Sequence, residues 1–370
     1  MINEDLVRIN DRGLYCEIGD FYIDPWRPVA RAFITHGHSD HARSGSRAYL
    51  AHKHSHGILR LRLGEDAAVE TLDYGEHLNI GGVKVSFHPA GHILGSSQIR
   101  LEHGGRVWVV SGDYKTQADP TCPAIEPVAC DTFITESTFG LPIYAFPDSQ
   151  QVYDQINKWW QQNKAEGKIS LLFAYSLGKA QRIIAGLEAI GPIYTHGAVE
   201  ALNQVYRGCG VKLPDTTHLT SQKKEQLIAE GALIVAPPNA QDSTWSRKFS
   251  PLSEAFASGW MRVRGARRRR ALDRGFVMSD HADWKGLLGT IKATGAQRVL
   301  VTHGYAQPLI RYLAEAGLHA QALETAYGGD ETAESVTAES ETAESETAES
   351  VTTESVTVER VSAESGAGEQ

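Results

Sequence analysis

At 370 residues and 41% hydrophobic content, the chain is long enough for two domains with cores of their own. Its formal charge of −9 sits in residues 331–370, where eleven glutamates face one arginine, which leaves residues 1–330 at +1. Four cysteines without a C-x-x-C spacing exclude a disulfide-stapled fold, no apolar run approaches the roughly 18 residues of a membrane span, and Met-Ile-Asn-Glu-Asp opens no secretory pattern, so a cytoplasmic protein is expected.

Short apolar strands are predicted at 21–24 and 32–35, leading into Thr35-His-Gly-His-Ser-Asp-His41. Alternate residues of an extended segment point the same way, so His36 and His38 can converge on one point. Asp40 and His41, just past the strand end, then reach a second point. Neutral imidazole and carboxylate suit zinc and similar metals, although a polar loop is the plainer alternative in a chain with 15 histidines. His52, His54 and His56 also alternate, but they run into Gly57-Ile58-Leu59-Arg60-Leu61, which has the look of a helix start, and are expected to be solvated. Val83 to Phe87, Ile99 and Leu101, and Val107 and Val109 alternate as strands, with Gly104-Gly105 as a two-residue hairpin turn. Strands therefore deliver Asp24, His36, His92 and Asp113 at their ends, which is how a sheet builds a rigid polar site.

The periodicity changes beyond Glu136. A helix is predicted over 149–165, capped by Asp148 or Ser149, with Val152, Ile156 and Trp159 on one face and both Trp159 and Trp160 in the core. Ile169 to Tyr175 is a continuous apolar strand, and Ala180, Ile183, Ile184, Leu187 and Ile190 follow at helical spacing. A strand at 192–195, a helix at 198–206 and a strand at 232–236 continue the alternation, which implies a parallel sheet covered on both faces. In the turn Tyr175-Ser-Leu-Gly-Lys179, backbone N–H groups, Ser176 and Lys179 would suit a phosphate, though many strand-to-helix turns look alike. Arg264, Arg267, Arg268, Arg269 and Arg270 form a dense basic run. It reads as a solvated loop or, preferably, as a contact to the phosphates of a nucleic acid. Phe276-Val-Met then ends at Asp280-His281, and Arg298-Val-Leu-Val-Thr ends at His303. The Glu-rich repeats of the tail are too polar and self-repelling to repay the entropy of ordering, and a disordered solubilising segment is expected.

With these residues in place, a family resemblance emerges. Asp24, His36-Gly-His38-Ser-Asp40-His41, His92 in Pro-Ala-Gly-His-Ile-Leu-Gly-Ser and Asp113 in Ser-Gly-Asp-Tyr resemble the successive motifs of the metallo-β-lactamase fold. Thr135-Glu136-Ser137-Thr138-Phe139-Gly140, Ser279-Asp280-His281-Ala282-Asp283-Trp284 and Val301-Thr302-His303-Gly304 are similar to the three extra motifs of its β-CASP branch, which consists of nucleases. Gly19-Asp-Phe-Tyr-Ile-Asp-Pro-Trp and Phe173-Ala-Tyr-Ser-Leu-Gly-Lys-Ala-Gln look most like the bacterial ligase-associated DNA exonucleases. The likeness runs from about residue 5 to residue 327.

The resemblance implies an αββα metallo-β-lactamase sandwich, split into residues 1–144 and 271–329 around a β-CASP insert of parallel α/β type at 145–270, with the tail at 330–370. It implies two divalent metal ions, zinc before manganese, because His and Asp accept both. His36, His38 and His92 would hold one, Asp40, His41 and His303 the other, with Asp113 between them. Such a pair lowers the pKa of a shared water for attack at phosphorus. Asp40 would also orient that water, and Asp24 would steady a ligand from behind. His281 would protonate the leaving oxygen, with Glu136 holding it protonated. The implied partner is nucleic acid, DNA before RNA, and the implied activity an exonuclease of DNA repair linked to an ATP-dependent DNA ligase. A ribonuclease of the same architecture is the alternative, since many RNA-processing members carry a histidine where His303 stands. An insert of over 100 residues with a basic run argues against a small-ester hydrolase, and the presence of every implied ligand argues against a non-catalytic scaffold.

Overall fold

The computed structural model describes residues 5–241, 243–250, 252–263 and 273–326. The expectations for Arg267, Arg268, Arg269 and Arg270 and for the acidic tail lie outside the described residues. The chain first lays down a six-stranded sheet in sequence order: β1 (Arg8–Asn10), β2 (Gly13–Cys16), β3 (Phe21–Ile23), β4 (Arg31–Phe33), β5 (Ala48–His52) and β6 (Val69–Leu72), with helix α1 (His56–Leu63) between the last two. It continues as an antiparallel meander of β7 (His77–Ile80), β8 (Val83–Pro89), β9 (Ser97–His103) and β10 (Arg106–Val110), to which β11 (Thr132–Ser137) adds in parallel. The β9–β10 turn needs left-handed backbone at both positions, and Gly104 (φ 58°) and Gly105 (φ 76°) supply it without a Cβ penalty.

The chain then leaves this sheet to build a third. Helix α2 (Ser149–Ala165) starts at Asp148, whose side chain accepts from Gln150 N at 2.8 Å. Strand β12 (Ile169–Phe173), α3 (Lys179–Gly186), β13 (Ile193–Thr195), α4 (Gly197–Gly208), β14 (Thr216–His218), α5 (Lys224–Glu230), β15 (Leu233–Ala236), β16 (Leu252–Ser258) and β17 (Arg274–Val277) follow. All neighbours in the order β14-β13-β15-β12-β16-β17 are parallel, as the alternation predicted. Helix α6 (Trp284–Thr294) leads back to the second sheet, where β18 (Arg298–Gly304) pairs in parallel with β11; α7 (Ala306–Glu315) and β19 (His319–Ala322) complete it.

The layers follow from the two-residue period of the strands. Phe21, Ile23 and Phe33 of the first sheet meet Val85, Phe87, Leu101 and Leu300 of the second in one buried cluster. Tyr49 and Ala51 point outward onto Leu59 of α1, while Val299 and Val301 flank Leu300 and point outward onto Leu287 and Ile291 of α6 and Leu309 of α7. Helix, sheet, sheet and helix are thus stacked. In the third sheet Leu172 packs with Trp160 and Ile183, whereas Leu171 and Phe173 pack with Leu227 on the other face. A strand covered on both sides reads as an unbroken apolar run because neither face meets water.

Two expectations need correction. The helical spacing ran to Ile190, but α3 ends at Gly186, where an added Cβ would strike the Tyr153 ring, and Leu187 is already extended. Leu187 and Ile190 still pack on the core from the following turn. His52 is also not solvated: it ends β5 buried, with its ring stacked on Tyr74 at 3.5 Å between centroids. His56 is exposed, as expected.

Candidate metal centre and active site

The seven expected metal ligands, His36, His38, Asp40, His41, His92, Asp113 and His303, come together at one end of the facing sheets. Thr35 and His36 follow β4, His92 follows β8, Asp113 follows β10, Glu136 lies in β11, and His303 lies in β18. Parallel neighbours end at the same edge, so β11 and β18 carry Glu136 and His303 side by side. Gly112 allows the close approach that seats Asp113, because a Cβ there would fall 2.6 Å from Thr35 Cβ.

Asp113 is the common point. Its Oδ2 lies 3.4 Å from His36 Nε2, 3.5 Å from His41 Nε2 and 3.9 Å from His92 Nε2, and its Oδ1 lies 3.2 Å from His303 Nε2. His38 Nδ1 is 3.1 Å from His92 Nε2. His36, His38, His92 and Asp113 thus form one set able to hold a metal ion, and His41, Asp113 and His303 a second. Asp40 belongs to neither set, but its Oδ2 stands 3.6 Å from His41 Nε2.

The ring orientations are set from behind. Thr35 Oγ1 donates to Asp24, so it can only accept from His36 Nδ1 at 3.1 Å, which turns Nε2 toward Asp113. Thr302 Oγ1 donates to Thr135 O and accepts from His303 Nδ1 at 3.2 Å, with the same result. His92 Nδ1 donates to Asp280 O at 2.8 Å. His38 Nε2 donates to Leu177 O at 3.2 Å, so a carbonyl next to the third sheet aims a ring of the first. Asp24 accepts from His41 Nδ1 at 2.8 Å and Thr35 N at 2.8 Å, and it holds a left-handed backbone (φ 43°) to do so. For a non-glycine residue that conformation costs of order 1–3 kcal/mol, offset by these bonds.

A metal ion fits this donor set. Among the described residues nothing hydrogen-bonds to the buried His36 Nε2, a loss of about 1–3 kcal/mol for a polar atom unless another partner takes its lone pair. Burial, then the charge on His41, holds His36 well below the usual histidine range. Burial and then His92 hold His38 at about 3, and burial and then His281 hold His92 at about 4. All three rings are therefore neutral, the state in which imidazole ligates. Burial acts downward on His41 too, but Asp40, Asp113 and Asp24 carry it up to about 10. Burial would raise Asp113, yet His41 and His36 keep it well below the carboxylate range.

His281 sits beside the cluster. Its Nδ1 lies 3.0 Å from Glu136 Oε2, and Glu136 is itself fixed by Tyr114 N at 2.8 Å. The imidazole therefore turns Nε2 away from Glu136. His281, His303, Asp113, Asp40 and His38 all line one cleft, together with Phe139, Tyr175, Leu177 and Trp260.

The expected phosphate residues fare differently. Lys179 lines the cleft, but its Nζ pairs with the buried Asp280 at 3.3 Å and lies 4.5 Å over the Tyr175 ring. Ser176 is buried, off the cleft lining, and its carbonyl accepts from Gln181. Asp280, Thr35 and Thr302 were missed as site residues. A signal existed: Thr-His-Gly occurs at 35–37 and again at 302–304. It is not specific, because Thr195-His196-Gly197 repeats it where His196 merely caps α4.

No family model matches the chain. A probable DNA ligase of Opitutus terrae is 32% identical over 314 residues, which is 84% of this chain and 30% of that protein. Endoribonuclease YSH1 of Kluyveromyces lactis is 26% identical over 145 residues, 30% of this chain and 19% of that protein. Cleavage and polyadenylation specificity factor 73 of Drosophila melanogaster is 29% identical over 122 residues, 32% of this chain and 18% of that protein. The chain thus spans under a third of the length of these relatives. A crystal structure of a protein of unknown function from Enterococcus faecalis V583 shares the fold with a TM-score of 0.53 and 12% identity, covering 73% of this chain and 74% of that one. No helix of the described residues is long and apolar enough to cross a membrane. The likeness to YSH1 and to factor 73 thus falls on about a third of this chain, and the likeness to the Opitutus terrae protein on most of it.

Proposed function

We propose that the chain is a metal-dependent phosphodiesterase that degrades DNA, an exonuclease of DNA repair acting alongside an ATP-dependent DNA ligase. The observation that carries it is the meeting of two metal-ligand sets at Asp113, with the His281–Glu136 pair on the same cleft. Residues 1–144 and 271–329 would form the sandwich, and 145–270 the insert that closes the cleft. The ligase link is supported by the likeness of most of this chain to a protein named a probable DNA ligase.

His36, His38, His92 and Asp113 would hold one cation, and His41, Asp113, His303 and Asp40 the second. Bound there, two divalent ions (zinc before manganese) supply an ionised water at neutral pH and offset phosphate charge. Asp40, half open to the cleft, accepts from the attacking water and aligns it. His281 gives its Nε2 proton to the leaving oxygen, and Glu136 keeps the ring in the tautomer and charge state for that transfer. Asp24 and the two threonines keep the ligands in register.

A ribonuclease of the same architecture is the second reading, favoured by His303 at Asp113 and by relatives named endoribonucleases. Matched 5′-labelled DNA and RNA strands, single and double, digested with zinc or manganese, test both. Progressive shortening of DNA supports the proposal, internal cuts in RNA replace it with the second reading, and no cleavage of either polymer rejects both.

A further inference from the structure

Beside the cleft runs a second depression of about 320 Å³, within the size range of ligand-binding sites. Trp26, Ser39, Arg43, Ser44 and Arg62 line it, and Ser39 and Arg62 also line the cleft, so the two adjoin. Among the described residues no carboxylate lines the groove. Nearby arginines have their charge matched, Arg27 by Asp11 and Arg60 by Glu65. Among the described residues Arg43 and Arg62 have no such partner: Arg43 is exposed, and Arg62 spends only its Nε on Gly37 O at 2.6 Å. Two uncompensated guanidiniums, two serine hydroxyls and an indole wall therefore lead directly from the metal-ligand cluster.

That combination has a specific chemistry. Guanidiniums without acidic partners favour phosphate oxygens, which they bind in a planar fork. An aromatic wall adds sequence-tolerant stacking, but only for a base that is not paired. We propose that this groove is the track for a single nucleic-acid strand running out of the cleft, with Arg43 and Arg62 each on a backbone phosphate and Trp26 against an unpaired base. The track rests on the phosphodiesterase reading for the strand's other end. It also assigns the phosphate contacts to residues far in sequence from the 175–179 turn, where Lys179 is already committed to Asp280.

The test is anisotropy of a fluorescein-labelled, phosphorothioate-linked single strand titrated with the full chain over a salt series. For single strands each phosphate contact contributes about 0.7 to the slope of log K against log salt. Arg43→Gln should flatten the slope by about 0.7 and the Arg43→Gln/Arg62→Gln pair by about 1.4, as contacts add. Arg62→Lys should keep the slope, and Arg311→Gln, an exposed residue paired with Glu315 elsewhere, should not move it. Trp26→Leu should weaken single-strand binding at least about five-fold at unchanged slope. A wild-type slope in Arg43→Gln, or wild-type affinity in Trp26→Leu, overturns the track while leaving the phosphodiesterase reading intact. A wild-type chain that binds no strand at any salt overturns both.

Discussion

Two pairs of histidines in the first sheet begin almost alike. The His36 and His38 rings stand 4.9 Å apart at 85°, and the His52 and His54 rings 4.9 Å apart at 89°. Both pairs come from an alternating His-x-His at a strand end. Their surroundings separate them. The first pair meets Asp113 and His92 from two other strands, whereas His52 meets the flat face of Tyr74. Burial and then His54 lower His52 to about 4, while the carboxylates around His41 lift that residue to about 10. Local spacing makes an imidazole pair; carboxylates arriving from distant strands make it a site.

The contrast is broken most severely at Asp113, the atom pair shared by both ligand sets. Asp113→Ala should cost hydrolysis on the order of 10³-fold, because several kcal/mol of metal-derived stabilisation go with it. Elemental analysis should show less metal per chain, and full metal content would refute the shared role. His281→Gln should slow hydrolysis by about 10²-fold, the low end for a lost general acid, with metal content unchanged. If metal is lost as well, His281 is a ligand instead.

Asp24→Asn removes the charge that orients His41 and receives Thr35. Outer partners of this kind are worth about 10–100-fold in metal affinity, so a chelator competition should show a shift of that size. No shift would make Asp24 a purely structural residue. The smallest effect is at the other pair. The folded pKa of His52 is depressed, so the unfolded chain takes up a proton that the folded ring refuses. Stability should therefore be complete above the ordinary histidine range and decline as pH falls toward about 4. His52→Phe should flatten this decline in urea unfolding at two pH values and leave metal content alone. Any loss of metal from that variant would erase the distinction between the pairs.

Much of the scaffold was legible because it is local. Alternation located β8, β9 and β10, the glycine pair located their turn, and Asp148 marked the start of α2. The unbroken apolar run of β12 announced a strand covered on both faces. The end of α3 was not legible, since it depends on how Gly186 meets the Tyr153 ring across the core. The phosphate reading of Lys179 shows the same boundary. Its turn has the local form of an anion site, but Asp280 arrives from a strand end about a hundred positions away and takes the charge.

By itself the chain determined which residues stand at strand ends and that their types are metal ligands, because backbone periodicity sets side-chain direction within a few residues. Only the tertiary structure decided which imidazoles face a carboxylate, which cations stay uncompensated and which ring is stacked away in a core. Charge and desolvation act through space: His281 meets Glu136 across 145 positions, and His38 meets Leu177 across 139. No periodicity spans such distances, so packing alone sets those pairings.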